Sequence, residues 1–336
     1  MLKQVKKTVI QKENDPYIYL YVSGVNEWFC YNPNEPPLGS GAMGDVYLGY
    51  RCKTGAQIAV KRVKDYYANN NMIRERARQE ASLAFRHPNL VEMIGCCEYA
   101  PDKGPIFILS NLVRGENIDK YIKGLANSPN RVEKISHAIM SVLDALDYVH
   151  SRGVIHRDIK PSNIMIEDDS NVRLMDLGIS RMNRGNKFSS FGFIGTPQYS
   201  APEQIKRGEN NQGDPINATT DIYELGITFY ELLTGENPMD AQSDVDILDR
   251  QINKSLPPNQ KIPSKLMKVI WKATEKEQAK RYQTALDFKN AISEALIPDP
   301  TFSEKLSRFM QENIALIMII AVIIAGLIFF WVIMTS

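Results

Sequence analysis

Three short stretches of this 336-residue sequence group acids, amides, lysines and glycines that could do chemistry together. The densest is His156-Arg157-Asp158-Ile159-Lys160-Pro161-Ser162-Asn163, followed thirteen residues after Asn163 by Asp176-Leu177-Gly178. Phosphoryl transfer needs a carboxylate that accepts or orients a hydroxyl proton, and oxygen ligands for Mg²⁺. Asp158 is placed for the first role, Asn163 and Asp176 for the second. Before Asp176, Val172-Arg173-Leu174-Met175 reads as a strand able to hold the carboxylate rigidly. A helix-capping aspartate beside an ordinary turn is the plainer reading, and it does not account for two such motifs in this order.

The second stretch is Leu38-Gly39-Ser40-Gly41-Ala42-Met43-Gly44-Asp45-Val46. Glycines let the backbone approach phosphates closely and leave amide N–H groups to bind them. Dinucleotide-binding turns share this pattern, but there the glycines open a helix, with an acidic residue about 20 positions on. Here Val46-Tyr47-Leu48 continues as strand, and Ile58-Ala59-Val60-Lys61 ends seventeen residues after Gly44. An apolar run ending in lysine favours an inward-pointing ammonium over a solvated one. The third stretch is Gly195-Thr196-Pro197-Gln198-Tyr199-Ser200-Ala201-Pro202-Glu203.

The elements that must position these residues change character along the chain. Tyr17, Tyr19 and Tyr21 alternate as in a strand with one aromatic face, an added strand or hairpin over the first lobe. Residues 38–50, 56–63 and 89–113 read as strand, with a helix over 72–85 ended by His87-Pro88-Asn89. Beyond about residue 117 the pattern is mainly helical. Residues 131–151 carry apolar positions at 135, 138, 139, 142, 146 and 149, and the stretch from Asp221 to Leu233 is similar; 207–218 reads as a polar loop. The expected fold class is α+β: a strand-rich lobe, a helical lobe and one terminal helix. Its segments are an extension over 1–31, lobes over 32–113 and 114–297, a linker over 298–313 and the helix over 314–334.

Composition is ordinary, with a net charge of +1, and points to no nucleic acid or acidic partner. Cys30, Cys52, Cys96 and Cys97 lack metal-ligand spacing, and the polar, lysine-rich start is not a secretory signal. Ile314 to Met334 is twenty-one residues without a charge. A helix of that length spans the roughly 30 Å core of a bilayer, and a soluble helix would show a polar face. Lys305 and Arg308 precede it, which places the preceding chain in the cytoplasm. The expectation is a single-pass cell-membrane tail anchor with Trp331 at the interface and no outside sensor domain.

Taken together, the motifs resemble those of the eukaryotic-type protein kinase superfamily, its bacterial Ser/Thr branch in particular, over roughly residues 36 to 292. The resemblance implies ATP and Mg²⁺ as cofactors, protein substrates, and phosphate transfer to serine or threonine. It places ATP against Leu38, Gly39, Ser40, Gly41, Ala42, Met43, Gly44, Val46, Ala59 and Lys61, with backbone groups of Asn111 and Val113 on adenine. Ser110 would be a small gatekeeper. Lys61 would contact the α- and β-phosphates and pair with a helix glutamate, Glu80 or alternatively Glu75. Lys160 would contact the γ-phosphate, Thr196 would lie near Asp158, Glu203 would pair with Arg281, and Asp221 would brace the catalytic loop.

Two departures stand out. Leu177 replaces the usual phenylalanine, and six residues separate Glu80 from His87, about two fewer than the family habit. Arg157 before Asp158 is similar to kinases switched on by activation-loop phosphorylation, with Ser189, Ser190 and Thr196 as candidate phosphosites and neighbouring copies as the phosphorylating partner. A competing class is a nucleotide-binding pseudokinase scaffold on the membrane. It would normally lack one of Lys61, Asp158, Lys160, Asn163 or Asp176. A small-molecule kinase conflicts with the Gly195–Glu203 segment, which in protein kinases shapes a peptide-docking surface.

Overall fold

Alternation of inward and outward residues between positions 9 and 31 produces three antiparallel strands, β1 (Val9–Gln11), β2 (Ile18–Val22) and β3 (Glu27–Tyr31). Leu20, Val22, Phe29 and Tyr31 are the inward set. Tyr21 and Trp28 oppose each other on the outer face with ring centroids 5.2 Å apart. The glycine-rich turn joins β4 (Gly39–Ser40) to β5 (Gly44–Arg51), and β6 (Gln57–Val63) follows. Helices α1 (Asp65–Ala68) and α2 (Asn71–Ser82) lead to β7 (Met93–Glu98) and β8 (Ile106–Asn111). The sheet runs β1-β2-β3-β5-β6-β8-β7, with β4 on β5. The computed structural model describes residues 8–41, 44–68, 71–82, 85–100, 104–176, 196–210, 214–299 and 302–335, without every side chain in its helices.

This sheet curls until its first strand meets its last. The Thr8 carbonyl accepts the Cys97 thiol at 3.0 Å and the Tyr21 amide at 2.7 Å, and the Thr8 hydroxyl donates to the Glu98 carbonyl. Gly95, at φ 151°, sits where β2 presses on β7: a Cβ there would meet Val22 Cγ1 at 2.5 Å. Inside the curl, the four inward residues of β2 and β3 pack with Ile58, Val60, Cys97, Phe107 and Leu109.

The helical lobe begins with β9 (Gly115–Asn117), α3 (Ile118–Gly124) and α4 (Arg131–His150). All six apolar positions read at helical spacing in α4 are buried. Strands β10 (Ile164–Glu167) and β11 (Val172–Leu174) pair with β9 in a small sheet ordered β11-β10-β9. Backbone bonds stitch the lobes here: Leu174 N–H donates to Asn89 O at 2.9 Å and Val91 N–H to Leu174 O at 3.1 Å. Then come α5 (Pro202–Asn210), α6 (Ala218–Thr234), α7 (Asp244–Asn253), α8 (Ser264–Ala273) and α9 (Ala285–Leu296). Helix α5 enters the stretch that reads as a loop over 207–218. Pro202 starts it favourably, and Gly208 alone costs a helix only about 1 kcal/mol.

The chain divides into two compact units, Met1–Glu294 and Ala295–Ser336. The second contains α10 (Phe302–Glu312), a helix in place of the expected linker, and α11 (Ile314–Thr335). Among the described residues, no single helix is long and apolar enough to cross a membrane. The pair Leu306–Glu312 and Ile314–Ile328, bent by 79°, meets the length and composition requirement together.

Candidate active site

One face of α6 holds the loop that carries Asp158. Asn217 caps this helix in a reciprocal arrangement with Thr220, which fixes its first turn. Asp221, fully buried, accepts the backbone N–H groups of His156 at 2.8 Å and Arg157 at 2.7 Å, and faces His150 Nε2 at 2.6 Å. One turn on, Glu224 accepts the Ile159 N–H at 2.8 Å, and Thr228 donates to the Ile159 carbonyl at 3.3 Å. Burial pushes the Asp221 carboxyl up, but its hydrogen bonds to His150 and the Arg157 amide outweigh this and hold it below the ordinary aspartate range. Sequence motifs single out Asp221 and miss Glu224 and Thr228. Their spacing from Asp221, three and seven residues, is the helical-face signal that could have found them.

Two residues around the loop adopt left-handed backbone, Arg157 at φ 66° and Asp176 at φ 44°. Such conformations are costly for non-glycine residues and persist only where surroundings over-determine them. His156 supplies part of that constraint. It is fully buried, accepts the Asp158 N–H on Nδ1 at 3.3 Å and lies 3.0 Å from the Met175 carbonyl through Nε2. Burial holds its pKa below the usual histidine value, so the ring is neutral and Nε2–H is the donor. Asp158 and Asp176 are thereby tied to one ring.

Asp158, Lys160 and Thr196 come together. Lys160 Nζ lies 3.2 Å from Asp158 Oδ2 and donates to Thr196 Oγ1 at 2.9 Å. Asn163, at the end of a 3-10 turn, donates its amide to the Asp158 carbonyl at 2.8 Å, and its own carbonyl accepts from Met175 at 2.8 Å. From the other lobe, Lys61 Nζ reaches Asp176 Oδ2 at 2.9 Å. Desolvation raises the Asp176 carboxyl; the ammonium of Lys61, with that of Lys160 beyond, wins and holds it below the ordinary aspartate range. Glu80 lies on α2 with its side chain outside the described residues, and Glu75 is exposed.

In β6 the residues alternate so that Ile58 and Val60 enter the core while Ala59 and Lys61 take the opposite face. Val46 pairs with Lys61 and with Gly39, and Leu38 N–H donates to Val46 O at 2.7 Å. Gly41 N–H donates to Gly44 O at 2.9 Å, closing the glycine turn over Ser40 and Gly41; Ala42 and Met43 lie outside the described residues. Gly44 is required by contact: a Cβ would meet Arg62 O at 2.4 Å. Ser110 stands opposite Ala59 in the β6–β8 register. Asn111 commits its N–H to Glu92 O at 2.9 Å, so the backbone group it can offer an adenine is its carbonyl. Val113 follows directly on this segment.

The Thr196–Glu203 segment is anchored from below. Glu203 and Arg281, both buried, form a two-pronged pair at 2.8 and 2.9 Å, and Thr220 donates to Glu203 at 2.8 Å. Arg281 also donates to the carbonyls of Thr219, Glu275 and Lys276. Burial would raise Glu203, but Arg281 outweighs it and holds the carboxyl below its ordinary range. Gln251 of α7, fully buried and not marked by any sequence motif, donates to the carbonyls of Pro197 and Gln198 at 3.2 and 2.5 Å. Leu177, Ser189 and Ser190 lie outside the described residues.

The model of the protein kinase domain family matches residues 33–295. The chain belongs to the protein kinase family. This kinase domain is 32% identical over 272 residues to the probable serine/threonine-protein kinase PknB of Bifidobacterium longum, covering 76% of this chain and 38% of that protein. It is 31% identical over 269 residues to the serine/threonine-protein kinase PrkC of Bacillus subtilis, covering 78% and 40% respectively. The chain thus spans about two fifths of the length of the curated relatives it matches. Among solved structures, the kinase domain of Mycobacterium tuberculosis PknI shares its fold, with a TM-score of 0.62 at 22% identity over 85% of this chain and 99% of that one.

Proposed function

We propose that this kinase transfers the γ-phosphate of ATP to serine or threonine hydroxyls of proteins. One observation carries the reading: Asp158, Lys160 and Thr196 meet within hydrogen-bonding reach while Lys61 crosses from the other lobe to Asp176. Asp158 is positioned to accept or orient the hydroxyl proton, with Lys160 beside it to balance the charge of the transferring group. Lys61 is the cation for the inner phosphates. Ser40, Gly41 and the neighbouring backbone of the glycine turn cover them.

The donor set suits magnesium. Among the described residues no three acid, histidine or cysteine side chains are arranged to hold a metal ion by themselves, so Asp176 and Asn163 would hold the ion together with phosphate and water oxygens. When bound, it neutralises charge on the phosphate oxygens. The hinge carbonyl of Asn111, with Val113, would take adenine between Ala59 and the floor of the cleft. The buried Glu203–Arg281 pair and Gln251 hold the segment that receives the substrate peptide.

The reading includes a membrane-anchored kinase facing the cytoplasm. Its support is the charge-free Ile314–Met334 run and the basic Lys305 and Arg308 before it. Tethering raises the local concentration of copies, which favours autophosphorylation between neighbours at Ser189 or Ser190. Incubating the full chain with Mg²⁺, γ-labelled ATP and a generic basic protein tests the activity. Label on serine or threonine is expected. Nucleotide binding without transfer, to itself or the protein, would leave a scaffold instead.

A further inference from the structure

Helix α10 has an apolar face that nothing else in its own unit, Ala295–Ser336, covers. Leu306, Phe309 and Met310 are 48%, 57% and 46% exposed. Spaced three and four apart, they form a single stripe along an 11-residue helix. Glu304, Ser307, Arg308 and Gln311 occupy the other side and are exposed as well. In an isolated aqueous helix such a stripe is a liability; here it runs straight into α11, which is apolar all round.

The corner between the two helices decides what meets the stripe. At Asn313 the axis turns by 79°. Both the backbone N–H and the side-chain amide of Asn313 donate to the Phe309 carbonyl, at 3.1 and 2.9 Å, so one of the last carbonyls of α10 is satisfied within the corner. The Asn313 carbonyl then accepts from Ile317 at 3.0 Å and opens α11. The anchor reading takes α11, 22 residues and about 33 Å long, as the crossing segment. If α11 crosses, a near-right-angle turn at its start leaves α10 close to the membrane plane.

We propose that α10 lies in the membrane–water interface, with Leu306, Phe309 and Met310 at the boundary between headgroups and acyl chains. This rests on the anchor reading above. A partner helix is a poorer occupant: 11 residues fall short of the three to four heptads a sustained helix pair uses. Charge does not drive the docking either. Glu304 and Glu312 balance Lys305 and Arg308, so α10 is neutral and gains little from anionic lipid. Docking therefore persists in neutral lipid and at high salt.

The test uses the full chain carrying Cys52→Ser, in neutral phosphatidylcholine vesicles. Nitroxide labels are placed singly at Phe309→Cys, Met310→Cys, Ser307→Cys and Gln311→Cys, with the Cys52→Ser chain as labelling background. Vesicle flotation first reports whether the chain is embedded. Power saturation with oxygen and a nickel chelate should then give a several-fold higher oxygen preference at 309 and 310 than at 307 and 311, unchanged by salt. If the chain floats but all four positions meet the chelate equally, the interfacial placement is wrong and the anchor stands. Dipolar broadening at 309 that unlabelled chain dilutes away would mean that the stripe packs on a second copy, which also overturns it. Failure to float removes the anchor and this inference together.

Discussion

Glu203 and Arg281 illustrate what a single buried pair does in this domain. Both charges are out of water and every guanidinium nitrogen has an acceptor, so removing one partner leaves the other uncompensated. Breaking such a pair costs about 3–5 kcal/mol. Glu203→Gln should therefore lower Tm markedly at pH 7. The sign with pH follows from its depressed folded-state pKa. The stabilisation is fully present above the unfolded value of about 4.3 and is lost as pH falls through the folded one. Melting curves should show the gap between wild type and variant narrowing below about pH 4; a gap constant from pH 7 to pH 3 would contradict this. Residues of this kind are legible in the sequence because motifs name them: Lys61, Asp158, Asn163, Asp176, Glu203 and Asp221 each sit in a recognisable run. Gln251 is not, since a glutamine in a helix carries no signal until the fold brings it under Pro197.

Helix α6 is the platform of the second lobe. Asp221, Glu224 and Thr228 fix the catalytic loop from one helical face, and none of them touches the reacting groups. Glu224→Ala frees the Ile159 amide, loosening the segment between Asp158 and Lys160. It should lower kcat by about 10-fold or more while KM for ATP stays within about twofold, because the nucleotide is held elsewhere; an equal rise in KM would mean that the cleft itself had collapsed. In the first lobe the corresponding element is α2. Arg74, fully buried, pairs with Glu98 of β7 at 2.6 Å, and Arg78 joins at 2.5 Å. Glu98→Gln should increase amide hydrogen exchange throughout α2, whereas unchanged protection would show that other contacts position the helix. Period-two and helical spacing make β6 and α4 readable in advance. Helix α10 reads as a linker because its three central apolar positions are outnumbered by polar ones, and the end of α5 reads as loop because Gly208 and the polar run after it resemble one.

Across the whole molecule, the first lobe depends on residues that precede the family match at 33–295. Leu20, Val22, Phe29 and Tyr31 fill the curl of the sheet, and each large buried side chain is worth about 1.5–3 kcal/mol. Their sum is comparable to a domain's entire margin of roughly 5–15 kcal/mol. Deleting residues 1–31 should therefore give an insoluble or molten protein, detectable by loss of a cooperative melt; a deletion variant that melts like the full chain would show the strands to be an appendage. The tyrosine alternation reveals a strand there, but not that the core residues are the ones between the tyrosines, since both faces of β2 are apolar enough to be buried. Whether the Asp158 constellation performs phosphotransfer is decided by comparing wild type with Asp158→Asn in transfer rate and nucleotide affinity. The expected result is a rate lower by about 10²–10⁴-fold with ATP affinity within about twofold. A variant that transfers phosphate as fast as wild type would contradict it.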